Sequence, residues 1–195
     1  MSNSSTNQAV QSPNLPTNKP HLLSSEEIEH PETIITSFCE NNYLDRMKTI
    51  FWEVVSIAAS TDYDYWEDFT PREMLAFYNK VDLFLEAAYL LCQKMEGNKK
   101  GRKHGVVQCA NLPKRLDDER IYAPESVIAD FFKDSSLEEI RDLMHEIVIQ
   151  AVCSTDLGST TLARRDMVWF CEQIETLIQG LFILNPQIQP PSSSL

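Results

Sequence analysis

Residues 31 to 91 recur, without a gap, as residues 124 to 184, at a constant offset of 93. Pro31-Glu32-Thr33-Ile34-Ile35 stands against Pro124-Glu125-Ser126-Val127-Ile128, and Arg72-Glu73-Met74 with Phe77 stands against Arg165-Asp166-Met167 with Phe170. Twelve of the 61 aligned pairs are identical, and many others exchange one apolar side chain for another, as Val54 for Ile147 and Leu85 for Ile178. Such self-similarity is what a shared packing pattern leaves behind after divergence, and it restricts the fold more tightly than local propensity can. The chain reads as an internal duplication.

Within each copy the apolar spacing is helical. A short segment A opens at Pro31 or Pro124, where a proline suits the first helical turn and the following glutamate complements the positive end of the helix dipole. Segment B places apolar residues at 44, 47, 51, 54 and 58, repeated at 137, 140, 144, 147 and 151. Segment C does the same at 74, 77, 81, 84, 88 and 91, repeated at 167, 170, 174, 177, 181 and 184. Steps of three and four mark one face of a helix, and the two-residue period of a strand is nowhere sustained. Thr70-Pro71-Arg72-Glu73 supplies an oxygen cap, a first-turn proline and a glutamate able to close a capping box. Short loops between B and C, over 61 to 69 and 154 to 160, predict an antiparallel hairpin in each copy. A unit of about 60 residues is near the lower limit for a stable core. The expected fold is therefore all-α: two copies of a three-helix unit, short helix A and hairpin B-C, packed around a pseudo-two-fold axis like a fused homodimer.

The organisation expected is a disordered tail over 1–23, a helical repeat over 24–91, a basic linker over 92–122, a second repeat over 123–185 and a second tail over 186–195. Both tails are rich in Ser, Asn, Gln and Pro and too poor in apolar residues to offset the entropy of ordering. The charge of the chain is −12, unevenly spread. Residues 94 to 120 carry eight basic and four acidic side chains, or +4, which leaves −16 for the remainder. An odd set of five cysteines on apolar faces predicts reduced thiols and a cytoplasmic location. Apolar stretches such as Leu83 to Cys92 fall short of the roughly 20 residues that span a bilayer, so no membrane partner is expected.

A site made by symmetric halves should be present twice. The polar positions that repeat are Glu32/Glu125, Glu53/Glu146, Lys48/Arg141 and Arg72/Arg165, with Glu73/Asp166 and Asp82/Glu175 as acid-for-acid exchanges. A ferritin-like di-metal centre would need paired Glu-x-x-His motifs; Asp142-Leu-Met-His145 comes closest, and its counterpart is Thr49-Ile-Phe-Trp52. Arg141 and His145 lie too close together for the Arg–His motif of the all-helical HEPN ribonucleases. Cys92, His104 and Cys109 lack the pairing and fourth ligand of a zinc site. No phosphate loop, nucleophile elbow or dinucleotide fingerprint is present. No catalytic residue, metal or cofactor is expected.

The copies differ most where B meets C. Asp62-Tyr-Asp-Tyr-Trp-Glu-Asp-Phe69 in the first copy becomes Thr155-Asp-Leu-Gly-Ser-Thr-Thr-Leu162 in the second. Tyr63, Tyr65, Trp66 and Phe69 are accordingly candidates for binding a partner, since aromatic side chains dominate interface hot spots. Lys99, Lys100, Arg102 and Lys103 in the linker are candidates for phosphate contacts, although no aromatic residue is interleaved with them. The expectation is a non-enzymatic helical module that binds another protein or regulates one. The alternative is a nucleic-acid-associated regulator using the basic linker, and a helical-bundle enzyme ranks third.

Overall fold

The computed structural model describes residues 20–41, 44–59, 70–97, 116–152 and 162–188. Eight α-helices account for most of these residues, and there is no strand among them. They are α1 (Ser25–Glu29), α2 (Pro31–Asn41), α3 (Leu44–Ala59), α4 (Pro71–Gly97), α5 (Asp118–Tyr122), α6 (Pro124–Phe131), α7 (Leu137–Val152) and α8 (Arg164–Ile188). The all-α reading of the periodicity holds.

The helix starts carry the chemistry expected of them. Thr70 donates its hydroxyl to Glu73 at 2.7 Å and accepts from the Glu73 amide at 3.3 Å, while Glu73 accepts from the Thr70 amide at 2.9 Å. Ser136 and Glu139 make the same closed box at the head of α7. Two short helices were not foreseen. Ser24 with Glu27 starts α1 by a capping box, and Asp117 caps α5 through the Arg120 amide. Each short helix stops two residues before the proline that opens the next, a residue with no amide hydrogen to continue the ladder.

The packing departs from the expected hairpins. The principal neighbours of α3 are α7 and α8, and those of α7 are α3 and α4. Each B-type helix thus seats its apolar stripe on the C-type helix of the other half. Loop length did not force adjacency: the eleven residues between α3 and α4 could reach about 36 Å when extended, several helix diameters. On the far side α2 covers α4 and touches α8, and α6 covers α8 and touches α4. Helices α4 and α8 consequently lie between two layers. That position explains why Val81, Phe84, Leu85, Ala87 and Ala88 in α4, and Ile174, Leu177, Ile178 and Leu181 in α8, are all buried.

Burial on several sides also explains a correction. Arg164–Asn185 of α8 is long and apolar enough to cross a bilayer, contrary to the expectation that no segment would be, and 67% of that window is buried within the bundle. The segment expected to link the copies contributes structure at both ends, because α4 runs on to Gly97 and Leu116 packs with Ile121, Val127 and Ile183. In the stretch expected as an N-terminal tail, Leu23 enters the core.

Candidate functional site

Two kinds of polar feature stand out from the apolar packing. The first is buried and ties the halves together. Arg141 of α7 faces Asp82 and Glu86 of α4: its Nε lies 2.6 Å from Asp82 Oδ1, its Nη2 donates to Asp82 Oδ2 at 3.0 Å, and its Nη1 lies 2.9 Å from Glu86 Oε1. Glu86 is 0% exposed. Its carboxylate also accepts from the backbone amides of His21, Leu22 and Leu23, at 2.9, 2.9 and 3.2 Å, and so holds the N-terminal strap against α4. The His21 ring meets the same guanidinium. Burial opposes the charge on Arg141, but the hydrogen bond and charge of Asp82, reinforced by Glu86, hold its pKa above the ordinary arginine value.

The aligned positions in the other half form a simpler pair. Lys48 of α3 lies 2.8 Å from Glu175 of α8, which also accepts from Trp52 Nε1 at 3.3 Å and from Gln179 Nε2 at 2.9 Å. Gln179 stands where the first half has Glu86. The repeated polar pairs Lys48/Arg141 and Asp82/Glu175 therefore meet one another across the bundle. With its buried carboxylates paired to cations across the bundle, this network acts as an internal clamp.

The second feature is open. Because α7 seats on α3 and α4 while α8 seats on α6 and α3, the space between α7 and α8 is left as a groove of about 540 Å³. Phe131, Ile140, Leu143 and Phe170 supply its apolar lining, and Trp169 stands at its side with 57% of its surface exposed. Asp130, Asp134, Glu139, Asp142 and Glu146 surround it, and among the described residues no base lines it. Glu139 is held in place by its bonds to the Ser136 amide and hydroxyl, the amide first, which keep its carboxyl below the usual range and hence ionised. Its volume falls within the range of ligand-sized clefts.

The corresponding face of the first half differs in charge. At the positions 93 residues earlier stand Ser37, Asn41, Arg46, Thr49 and Glu53, with Lys80 for Gln173 and Ala76 for Trp169. The five acids thus align with one base, one acid and three uncharged residues, and with Lys80 standing for Gln173 the net charge is −5 on one face and +1 on the other. The apolar residues Phe38, Met47, Ile50 and Phe77 keep their type. What changed between the aligned faces is the aromatic side chain and the electrostatics.

No protein-family model matches this chain, and no curated protein or solved structure is significantly similar to it. The site has to be read from its own chemistry.

Tyr63, Tyr65, Trp66 and Phe69 lie outside the described residues, as do Lys99, Lys100, Arg102 and Lys103. His104 and Cys109 do too. His145 is exposed and meets Tyr78 edge-on at 5.7 Å between ring centroids. Among the described residues no group of three or more His, Cys, Asp or Glu side chains converges as a metal site. Glu146 lines the groove, and its counterpart Glu53 is half-buried. Sequence reasoning missed Trp169. Its signal was available, since a tryptophan aligned with an alanine is a difference between copies on an otherwise shared helix face.

Proposed function

We propose that the chain is an internally duplicated scaffold whose halves interlock about a pseudo-two-fold axis, and that it works without catalysis by binding another protein. The duplication is supported by the helix bounds: 25, 31, 44 and 71 begin α1 to α4, and 118, 124, 137 and 164 begin α5 to α8, each 93 later. Every described packing relation recurs under this offset. Helix α2 on α4 has its match in α6 on α8, α3 on α8 in α7 on α4, and α2 on α8 in α6 on α4, while α3 and α7 pack on each other at the axis. A reducing compartment such as the cytoplasm suits the free thiols of Cys39, Cys92 and Cys171.

The observation that carries the binding function is the groove between α7 and α8, with Trp169 exposed beside it. A large aromatic side chain left half in water beside an apolar cleft is a typical anchor for recognition. The test is recovery of partners on the full-length tagged chain from its own cells, with Trp169→Ala compared against Leu75→Ala on the other half. A protein retained by wild type and by Leu75→Ala but lost with Trp169→Ala supports the reading. Identical recovery with all three removes the groove from it.

A further inference from the structure

We infer that the occupant of the groove is a basic amphipathic helix of another protein, its apolar stripe seated against Trp169 and its lysines or arginines opposite the acidic rim. This rests on the groove being the binding site and adds the chemistry of what binds. The placement of the acids argues for it. Glu139, Asp142 and Glu146 follow one another at intervals of three and four along α7, so they share a face and extend over about 10 Å of helix. Asp130 and Asp134 add to the same lining from the close of α6 and the turn after it. Charges set out in a row in this way do not converge on one cation. They match a row of cations with the same helical spacing.

The shape of the groove argues for a helix. Its walls are helices whose own backbone groups are bonded along their axes, so an extended peptide would find no free edge to pair with. A helix arrives with its backbone already satisfied and needs only side-chain contacts. The contrast with the aligned face supplies the charge argument. The aligned face keeps the same apolar positions without four of the five acids and without the tryptophan, so packing does not require those residues there. Complementary charge of this kind governs encounter and orientation, while the buried aromatic contact governs how long the complex lasts.

The test uses dye-labelled synthetic peptides titrated with the full-length protein and followed by fluorescence anisotropy. One peptide has a leucine stripe flanked by lysines at positions i, i+3 and i+7. A second replaces those lysines by glutamates, and a third, neutral, replaces them by glutamines. Binding of the lysine peptide at least tenfold tighter than either other peptide is expected, weakening as salt is raised from 50 to 300 mM. Trp169→Ala should reduce that affinity by tenfold or more, and the double variant Asp142→Asn with Glu146→Gln should reduce it and flatten the salt dependence. Circular dichroism of each variant confirms that the bundle is intact. If the glutamine peptide binds as tightly as the lysine peptide and Trp169→Ala weakens both, the groove binds but its occupant is not basic. If Trp169→Ala leaves the lysine peptide unaffected, the basic helix does not occupy the groove, and the partner-recovery experiment then decides separately whether the groove binds a different one.

Discussion

Glu86 shows how one carboxylate can hold several parts of a chain at once. A buried carboxylate is costly unless its lone pairs are filled, and here three backbone amides and a guanidinium fill them. Replacing Arg141 by alanine leaves Asp82 and Glu86 facing each other without a cation. Equilibrium urea unfolding should show a loss of about 3–5 kcal/mol for Arg141→Ala. Lys48→Ala should lose less, because Glu175 keeps the Trp52 and Gln179 donors and faces an amide in place of a second acid. The thiols give a second measurement. Burial raises Cys39 and Cys171 to about 12, and burial helped by Glu96 raises Cys92 to about 11. Alkylation at pH 8 read by peptide mass spectrometry should leave these three largely unmodified in the native protein and modify them rapidly in 6 M guanidinium, since only the thiolate reacts. Apolar neighbours of the cysteines in sequence pointed to this state. The partners of Glu86 were not legible, because Arg141 is on a different helix and the three amides lie 63 to 65 residues away, on a strap with no helical pattern.

Helix identity was written in the periodicity, and helix starts in the capping residues. Glu73 illustrates how firmly. Its bonds to the Thr70 amide, the larger cause, and to the Thr70 hydroxyl hold its pKa below the ordinary carboxylate value. A folded-state pKa below the unfolded one means that the stabilisation is present above the unfolded value of about 4.3 and is lost as pH falls through the lower folded value. Glu73→Gln should therefore lower the melting temperature at pH 7, and the difference from wild type should shrink and vanish as pH is brought from 5 to below 3. A difference that persists undiminished at pH 2.5 would contradict the assignment. Which helix packs on which was not legible in the same way. The stripe on α3 has two candidate partners in the sequence, because α4 and α8 carry aligned apolar residues at an offset of 93, and loop length permitted either. The groove between α7 and α8 is a consequence of the pairing that prevailed.

For the molecule as a whole, exchange of partners between the halves sets how it must fold. Neither half can cover its own stripes: α3 without α8, or α7 without α4, leaves the buried faces of Met47, Phe51 and Val54, or of Met144, Ile147 and Val148, in water. Residues 20–97 and 116–188, expressed separately, should each be largely unfolded or self-associated by circular dichroism and sedimentation, and mixing them should restore helicity and a monodisperse complex. A stable folded monomer from either half would overturn the interlocked scaffold. The period of 93, the helical class, the helix starts and the apolar faces could all be read from the order of residues, since each depends on neighbours within a few turns or on simple repetition. Partner choice, the Glu86 clamp and the acidic groove beside Trp169 depend on which of two near-equivalent surfaces each helix finds, and only the packed tertiary structure breaks that degeneracy.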